Sequence, residues 1–232
     1  MRVRLYVPEA EIGKEAAISK DQIRHLKVLR VKEGDKIGIF DGKGRQFETI
    51  YSEKVRSGKV LVERLIEARE EPKVRITLAT AVPKGSRMDV LIEKVSELGV
   101  TDIVPIVCSR SVVEPRESKI ERLRKVAIEA CAQSERCIVP TISEPIELAK
   151  LLDKTKNYNQ AFICHASGRP IGKEYKDTSN VLIIVGPEGD FTPAELEAAQ
   201  NAGCVKVSLG PTILRTETAA ITAVAQIIGH KH

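Results

Sequence analysis

The last quarter of the chain carries the clearest alternation between apolar runs and helix-start signals. Residues 181–185 (Val-Leu-Ile-Ile-Val) are all apolar and mostly β-branched, which predicts a short buried strand. Thr192 is followed by Pro193 and then by Glu195, a combination that predicts a helix start with a capping box. Gly203 predicts the end of that helix.

A second strand and a second helix are predicted directly afterwards, at 205–209 and 216–228. Both predicted strands run into loops that begin with Gly-Pro, at 186–191 and 210–215. Because ligands of open α/β sheets bind beyond the carboxyl ends of the strands, this pair of loops predicts a ligand site. Two ordinary strand-to-helix turns are the alternative interpretation.

Upstream, the same alternation extends back to about residue 74. Strands are predicted at 74–82, 102–107 and 160–164, and helices at 86–97 and 117–132. Alternating strands and helices are typical of an α/β fold with a mostly parallel sheet.

The first 70 residues have a different texture. Short strands are predicted at 4–7, 36–40 and 59–62, with one helix at 19–30 and a hairpin turn at 41–44 (Asp-Gly-Lys-Gly). This pattern predicts a small β-barrel. A charged segment that ends in proline follows, and it divides the chain into predicted domains at 1–70 and 73–232.

Charge strengthens the distinction between the two parts. The chain has a net charge of +5, and residues 1–70 contribute 16 Lys/Arg against 12 Asp/Glu, whereas residues 71–232 contribute 21 against 20. An excess of positive charge in the first part favours contact with a phosphate backbone.

Composition excludes several classes of protein. The 42% apolar content is enough for a packed core, and the sequence has neither a run of 18 apolar residues nor a signal-peptide core. The five cysteines are odd in number and never spaced as C-x-x-C. We therefore expect a cytoplasmic protein with reduced thiols, no membrane contact and no metal site.

Several segments resemble, in the right order, a family of S-adenosylmethionine-dependent enzymes, the 16S ribosomal RNA (uridine-N3) methyltransferases of the knotted SPOUT class. The C-terminal signature consists of Gly186-Pro-Glu-Gly189, Leu209-Gly210 and Ile213-Leu-Arg-Thr-Glu-Thr-Ala219. The other matching segments are His25–Arg30, Pro83–Arg87, Glu93–Gly99, Ser109–Ser111 and Ala132–Arg136. The resemblance spans almost the whole chain and departs at Asp190, where the family has glycine.

The resemblance implies a knotted C-terminal methyltransferase domain preceded by an RNA-binding PUA-like β-barrel domain. It also implies a pocket for S-adenosylmethionine. The residues that it assigns to this pocket are His165, Gly186, Pro187, Glu188, Gly189, Leu209, Gly210, Ile213, Leu214, Thr216, Thr218 and Ala219. From the sequence alone, His165 can equally be a loop histidine without a role.

The chemistry of the implied reaction singles out three charged residues. N3 of uracil is a weakly acidic imide, so its methylation calls for a proton acceptor and a group that stabilises the anion. We expect Arg215 to steady a uracil oxygen or a phosphate, and one of Glu217 and Glu188 to accept or relay the proton. A helix-start charge for Glu217 and a loop-bracing role for Glu188 are the alternatives.

Basic residues in or directly beside the matching segments are the expected RNA contacts. They are Arg24, His25, Lys27, Arg30, Lys84, Arg87, Arg110 and Arg136. The alternative is an ordinary solvated basic surface. With only 3% aromatic residues, contacts to phosphate and shape are favoured over base stacking.

We therefore expect an enzyme that methylates N3 of a uridine in 16S ribosomal RNA, in an assembled small subunit, and that acts as a homodimer. Two alternatives remain: a ribose 2′-O methyltransferase of the same knotted class, and a non-catalytic RNA-binding or ribosome-assembly protein.

Overall fold

The structure, a computed structural model, describes residues 3–112 and 117–230. The last two residues of the predicted second domain lie outside this range. The chain forms two compact units, Met1–Glu71 with Ile128–Val139, and Pro72–Ala127 with Pro140–His232. Residues 128–139 thus belong to the first unit, although they lie in the second half of the chain.

Short strands dominate the first unit. Its elements are β1 (Arg4–Tyr6), β2 (Glu15–Ala17), α1 (Lys20–Val28), β3 (Lys36–Phe40), β4 (Gln46–Ile50), α2 (Glu53–Arg56), β5 (Lys59–Leu61) and β6 (Arg64–Ile66). Within the described residues these strands form a four-stranded sheet in the order β1-β3-β4-β6 and a two-stranded sheet of β2 and β5.

Two local predictions for this unit are confirmed. Ser19 caps α1 with a capping box shared with Gln22, and β3 and β4 form an antiparallel hairpin in which Phe40 pairs with Gln46. The turn is held by Asp41, whose Oδ1 accepts hydrogen bonds from the backbone N–H groups of Lys43 (2.8 Å) and Arg45 (3.0 Å).

The second unit is an α/β layer structure. Its elements are β7 (Arg75–Ala81), α3 (Arg87–Leu98), β8 (Asp102–Val107), the first part of α4 (Glu117–Ser134), β9 (Thr141–Ile142), β10 (Ile146–Glu147), α5 (Leu148–Leu152), β11 (Gln160–Pro170), α6 (Ile171–Glu174), β12 (Asn180–Val185), α7 (Pro193–Asn201), β13 (Val205–Ser208) and α8 (Thr216–Gly229). Strands β2, β6, β9 and β10 and helices α2, α5 and α6 were not predicted from the sequence.

The predicted parallel sheet is confirmed. Within the described residues the strand order is β10-β8-β7-β12-β11-β13, with β9 beside β8, and these strand pairings are parallel. One face packs against α5 and α7 in a core that includes Ala79, Leu182 and Leu151. Helix α8 contacts β7 and β12 and also packs on α3. Because parallel strands point the same way, the carboxyl ends of β12, β11 and β13 meet at one edge.

Candidate functional site

A pocket lies at the carboxyl ends of these three adjacent strands. Its lining consists of Cys164, His165, Ala166, Val185, Gly186, Pro187, Glu188, Asp190, Leu209, Gly210, Thr212, Ile213, Leu214, Thr216 and Ala219. The two Gly-Pro loops follow β12 and β13, and β11 runs between those strands. The tertiary structure therefore brings the two loops of the sequence signature to one site.

The first loop is shaped by close packing. A Cβ at Gly186 would stand 2.8 Å from the ring of Phe191, so only glycine fits there without displacing that buried side chain. The backbone N–H of Asp190 donates to the carbonyl of Pro187 (2.9 Å) and closes a turn. Asp190 adopts the left-handed conformation, with φ 59°.

Aspartate is compatible with position 190, where the resemblance led us to expect glycine. Aspartate adopts the left-handed region more readily than most residues because its short side chain bonds the local backbone. Here Oδ1 of Asp190 accepts from the N–H of Phe191 (2.7 Å). The other oxygen, Oδ2, lies 3.3 Å from Nε2 of His165.

His165 stands in an irregular part of β11 and not after the strand. The prediction that this strand ends at residue 164 is wrong: β11 continues to Pro170, with a shift of its register against β13 between Cys164 and Arg169. The backbone N–H of Ser167 donates to Nδ1 of His165 (3.1 Å). The neutral ring therefore carries its proton on Nε2, which faces Asp190.

Hydrogen bonds from α8 hold the two loops in place. Oγ1 of Thr216 donates to the carbonyl of Gly186 (3.1 Å), and Nε2 of Gln226 donates to the carbonyl of Leu209 (3.1 Å). Ile213, on the second loop, is 85% exposed. An apolar side chain on the pocket wall with this exposure offers surface for an apolar ligand group.

The two candidate carboxylates share one arginine. Nη1 of Arg87 lies 3.4 Å from Oε1 of Glu188, and its Nε lies 3.9 Å from Oε1 of Glu217. Glu188 lines the pocket, whereas Glu217 is absent from the lining that the described residues form. Oε2 of Glu217 is buried and has no hydrogen-bond partner within that same part of the chain.

Arg215 occupies the N-cap position of α8 and is exposed. In the described ranges 3–112 and 117–230, its guanidinium makes neither an ion pair nor a hydrogen bond. It is therefore a positive charge at the end of the second loop that is not neutralised by a neighbouring carboxylate.

Ten of the twelve predicted cofactor residues line the pocket, and Gly189 and Thr218 do not. Gly189 contributes its carbonyl to Nη1 of Arg110 (2.8 Å) instead, and Thr218 is exposed on α8. Five further lining residues were not predicted from the sequence: Cys164, Ala166, Val185, Asp190 and Thr212. All five are direct neighbours in sequence of residues that were predicted, so adjacency to a predicted residue was the available signal.

The predicted RNA contacts differ in accessibility. Arg24, His25, Lys27 and Arg30 are exposed on or just after α1, and Lys84 and Arg110 are exposed in the second unit. Arg87, at the start of α3, is half-buried. Arg136 is only 7% exposed and its Nε donates to Glu71 (2.8 Å). Because this side chain is buried in an ion pair of the first unit, it is not placed to contact RNA.

Cys164 is a cysteine in the pocket lining, and burial raises the pKa of its thiol to about 12. A thiol in this state is a poor nucleophile near neutral pH, so the site suits direct transfer without a covalent enzyme intermediate.

No group of three or more His, Cys, Asp or Glu side chains in the described residues could hold a metal ion. None of the helices described is long and apolar enough to cross a membrane.

The lining suits S-adenosylmethionine. Apolar side chains such as Ile213 and Leu214 offer walls for the adenine ring, and the carboxylates of Glu188 and Asp190 complement positive charge. A Cβ at Gly210 would have no neighbour within 4 Å among the described residues, so the backbone is open to close approach there.

Comparison with known proteins agrees with this geometry. A family model for the RNA methyltransferase domain matches residues 69–228, and a model for the PUA domain of RNA methyltransferases matches residues 18–54. The ribosomal RNA small subunit methyltransferase E of Rickettsia conorii is 36% identical, over 97% of this chain and 94% of its own. That of Synechocystis is 33% identical, over 98% of this chain and 77% of its own.

Two solved structures share the fold. The ribosomal RNA small subunit methyltransferase E of Neisseria gonorrhoeae, bound to S-adenosyl methionine, has a TM-score of 0.88 at 34% identity, over 96% of this chain and 95% of its own. A methyltransferase from Legionella pneumophila in complex with the same cofactor also has a TM-score of 0.88, at 31% identity, over 98% and 97%. With a family model matched over more than half of its length, the chain belongs to the RNA methyltransferase family.

Proposed function

We propose that this protein transfers a methyl group from S-adenosylmethionine to N3 of a uridine in 16S ribosomal RNA. One observation carries the proposal: the Gly186-Pro-Glu-Gly and Ile213-Leu-Arg-Thr-Glu-Thr loops form one pocket at the carboxyl ends of three parallel strands. Relatives named ribosomal RNA small subunit methyltransferase E support the choice of ribosomal RNA as substrate.

The pocket residues would hold the cofactor. Backbone groups of the two Gly-Pro loops are available for its polar edges, and Ile213, Leu214 and Ala219 for its apolar parts. When bound, S-adenosylmethionine supplies an activated methyl group on a sulfonium. Displacement at that methyl group needs the donor and the acceptor held in line, so the loops contribute chiefly by positioning.

Arg215, Glu188 and Glu217 are the proposed catalytic group. Arg215 is exposed without a carboxylate partner in the described residues and so is available to stabilise the uracil anion or a phosphate. Glu188 lies in the pocket lining and would accept the N3 proton. Glu217 contacts the same arginine as Glu188 and would act through Arg87.

The remaining proposals concern the two domains, the RNA contacts, the oligomeric state and the location of the protein. We propose that residues 1–70, completed by residues 128–139 of the same compact unit, form the RNA-binding PUA-like domain. The knotted methyltransferase domain would lie within residues 73–232. Exposed basic residues of α1, with Lys84, Arg87 and Arg110, would contact phosphates of an assembled small subunit. The proposal includes the homodimer, and the substrate would place the protein in the cytoplasm.

The direct test is mass spectrometry of nucleosides from 16S ribosomal RNA. The purified protein is incubated with S-adenosylmethionine and either small subunits or naked RNA from cells that lack this protein. We expect 3-methyluridine at one position. A 2′-O-methyl nucleoside would support the ribose alternative, and bound cofactor without any methylated nucleoside would support the non-catalytic one.

Substitutions in the catalytic group provide a second test. Arg215→Ala should lower turnover by about 100-fold or more, because charge stabilisation contributes on that scale. Glu217→Ala should lower turnover as well, because Arg87 then loses one of the two carboxylates that hold it beside the proton acceptor Glu188. Cofactor affinity measured by calorimetry should stay close to wild type. Glu197→Ala removes an exposed carboxylate of α7 and is the matched control. Near-normal turnover in both site variants would refute the assignment.

A further inference from the structure

Asp190 is held in the pocket wall in a backbone conformation that side chains rarely adopt. Its φ of 59° lies in the left-handed region, and its side chain lines the pocket. Most residues are disfavoured in this conformation and glycine is not. A carboxylate at a position that favours glycine therefore indicates a role for its charge in the pocket.

Both oxygens of this carboxylate are oriented. Oδ1 accepts from the backbone N–H of Phe191 (2.7 Å), and Oδ2 lies 3.3 Å from Nε2 of His165. The side chain of Asp190 is nevertheless about half exposed, at 51%. The negative charge is therefore fixed in direction while it remains accessible to a ligand.

His165 orients this carboxylate. Since the backbone N–H of Ser167 can only donate, Nδ1 of His165 must be the acceptor, and the neutral ring places its proton on Nε2 toward Asp190. No lysine or arginine within residues 3–112 and 117–230 forms an ion pair with Asp190. The other acidic group of the lining, Glu188, differs in having Arg87 at 3.4 Å.

We infer that Asp190 is a specificity-determining residue that makes the pocket discriminate between the methyl donor and its demethylated product. S-adenosylmethionine carries a sulfonium cation, and the thioether left after methyl transfer is neutral. A fixed negative charge in the wall attracts the first and has no such attraction for the sulfur of the second. The inference rests on the proposed cofactor, and its consequence is that the product competes less well with the donor for the pocket.

Calorimetric titration of the full-length protein with S-adenosylmethionine and with S-adenosylhomocysteine tests the inference. Asp190→Asn and Asp190→Gly both remove the charge and both suit a positive φ. In each variant the ratio of the product Kd to the donor Kd should fall by about three- to tenfold, as expected for a partly solvated charge several ångströms from a cation. Asp153→Asn, at an exposed position outside the lining, should leave the ratio unchanged.

The outcomes separate the inference from the proposed function. If wild type binds neither ligand, the proposed cofactor is wrong. If wild type binds both and the variants weaken both equally, the cofactor stands and the role of Asp190 is refuted. If the asparagine variant loses both ligands because its loop is distorted, the ratio is read from the glycine variant, which relieves the backbone conformation.

Discussion

At the scale of single residues, the site depends on positions where only one type of side chain is compatible with its neighbours. Gly186 faces the ring of the buried Phe191, and Asp190 satisfies a positive φ by bonding its own loop. Arg87 stands between Glu188 and Glu217. The sequence signature named most of these residues, but the contacts of Arg87 join parts of the chain about 100 to 130 residues apart.

Gly186 gives a direct test at this scale. Gly186→Ala should lower the free energy of unfolding by about 1–3 kcal/mol, because its Cβ would meet the Phe191 ring at 2.8 Å and force a shift of a packed side chain. Cofactor affinity should fall as well, since the same loop lines the pocket. Chemical denaturation and calorimetry measure the two effects.

Gly172→Ala is the matched control. Gly172 lies in α6, and a Cβ there would meet nothing within 4 Å in the part of the chain that the structure describes. We expect equal or slightly higher stability for this variant. Equal stability of the two alanine variants would contradict the packing argument.

At the scale of elements, local sequence signals predicted where helices begin and where the hairpin lies. The capping box of α7 pairs Thr192 with Glu195, and Glu195 also accepts from the backbone N–H of Ser109 (2.8 Å). Burial by itself raises the pKa of Glu195, but the hydrogen bonds from Ser109 and Thr192 outweigh it, so the pKa lies below its ordinary value. One carboxylate thus joins the start of α7 to the loop after β8.

Thr192→Ala should therefore lower the free energy of unfolding by about 1 kcal/mol, as loss of an N-cap side chain usually does. Ser86→Ala is the control: Ser86 also precedes a helix, α3, but its side chain makes no cap hydrogen bond to the described residues. We expect little change for that variant in thermal or chemical unfolding. A similar loss in both variants would mean that the capping bond of Thr192 is not the cause.

The β3–β4 hairpin gives a test with pH. Burial raises the pKa of Asp41, yet hydrogen bonds from Arg45 and from the backbone of Lys43 and Arg45 outweigh it, and the pKa is lowered overall. A lowered pKa in the folded state contributes stability above the unfolded-state pKa, near pH 4, and this contribution is lost as the pH falls through the folded-state value.

Asp41→Asn should accordingly lower the unfolding free energy by about 1–3 kcal/mol at pH 7, because the buried turn loses its charged acceptor. The difference between wild type and variant should shrink as the pH falls below about 4. Urea unfolding at several pH values measures it. A difference that stays constant down to the acid end would show that the charge of Asp41 is not responsible.

At the scale of the whole molecule, neither compact unit is formed by one continuous stretch of the chain. Arg4, which is 7% exposed, donates to the carbonyls of Cys131 and Arg136, both at 3.1 Å. Phe40 packs in a small core with Cys131 and Cys137. These residues lie about 90 to 130 positions apart, and no sequence pattern indicated that they form one unit.

A fragment of residues 1–71 should therefore fail to fold as it does in the full chain. It lacks the carbonyl partners of the buried Arg4 guanidinium, and a buried charge without partners is strongly destabilising. Circular dichroism and amide exchange of the fragment, compared with the full-length protein, measure this. Cooperative unfolding with wild-type exchange protection in the fragment would contradict the prediction.

The sequence by itself determined the elements with strong local signals and the family. Apolar runs, the helix-start residues Thr192, Pro193 and Glu195 and the Gly-Pro loops act within a few residues, so they can be read along the chain. Only the tertiary structure decided that β11 lies between β12 and β13 and that His165 contacts Asp190. It also decided that Arg136 is buried against Glu71 and that Glu217 contacts Arg87. Such contacts join residues far apart in sequence, and strand order and side-chain partners are set by the packing of the whole sheet, which local spacing does not encode.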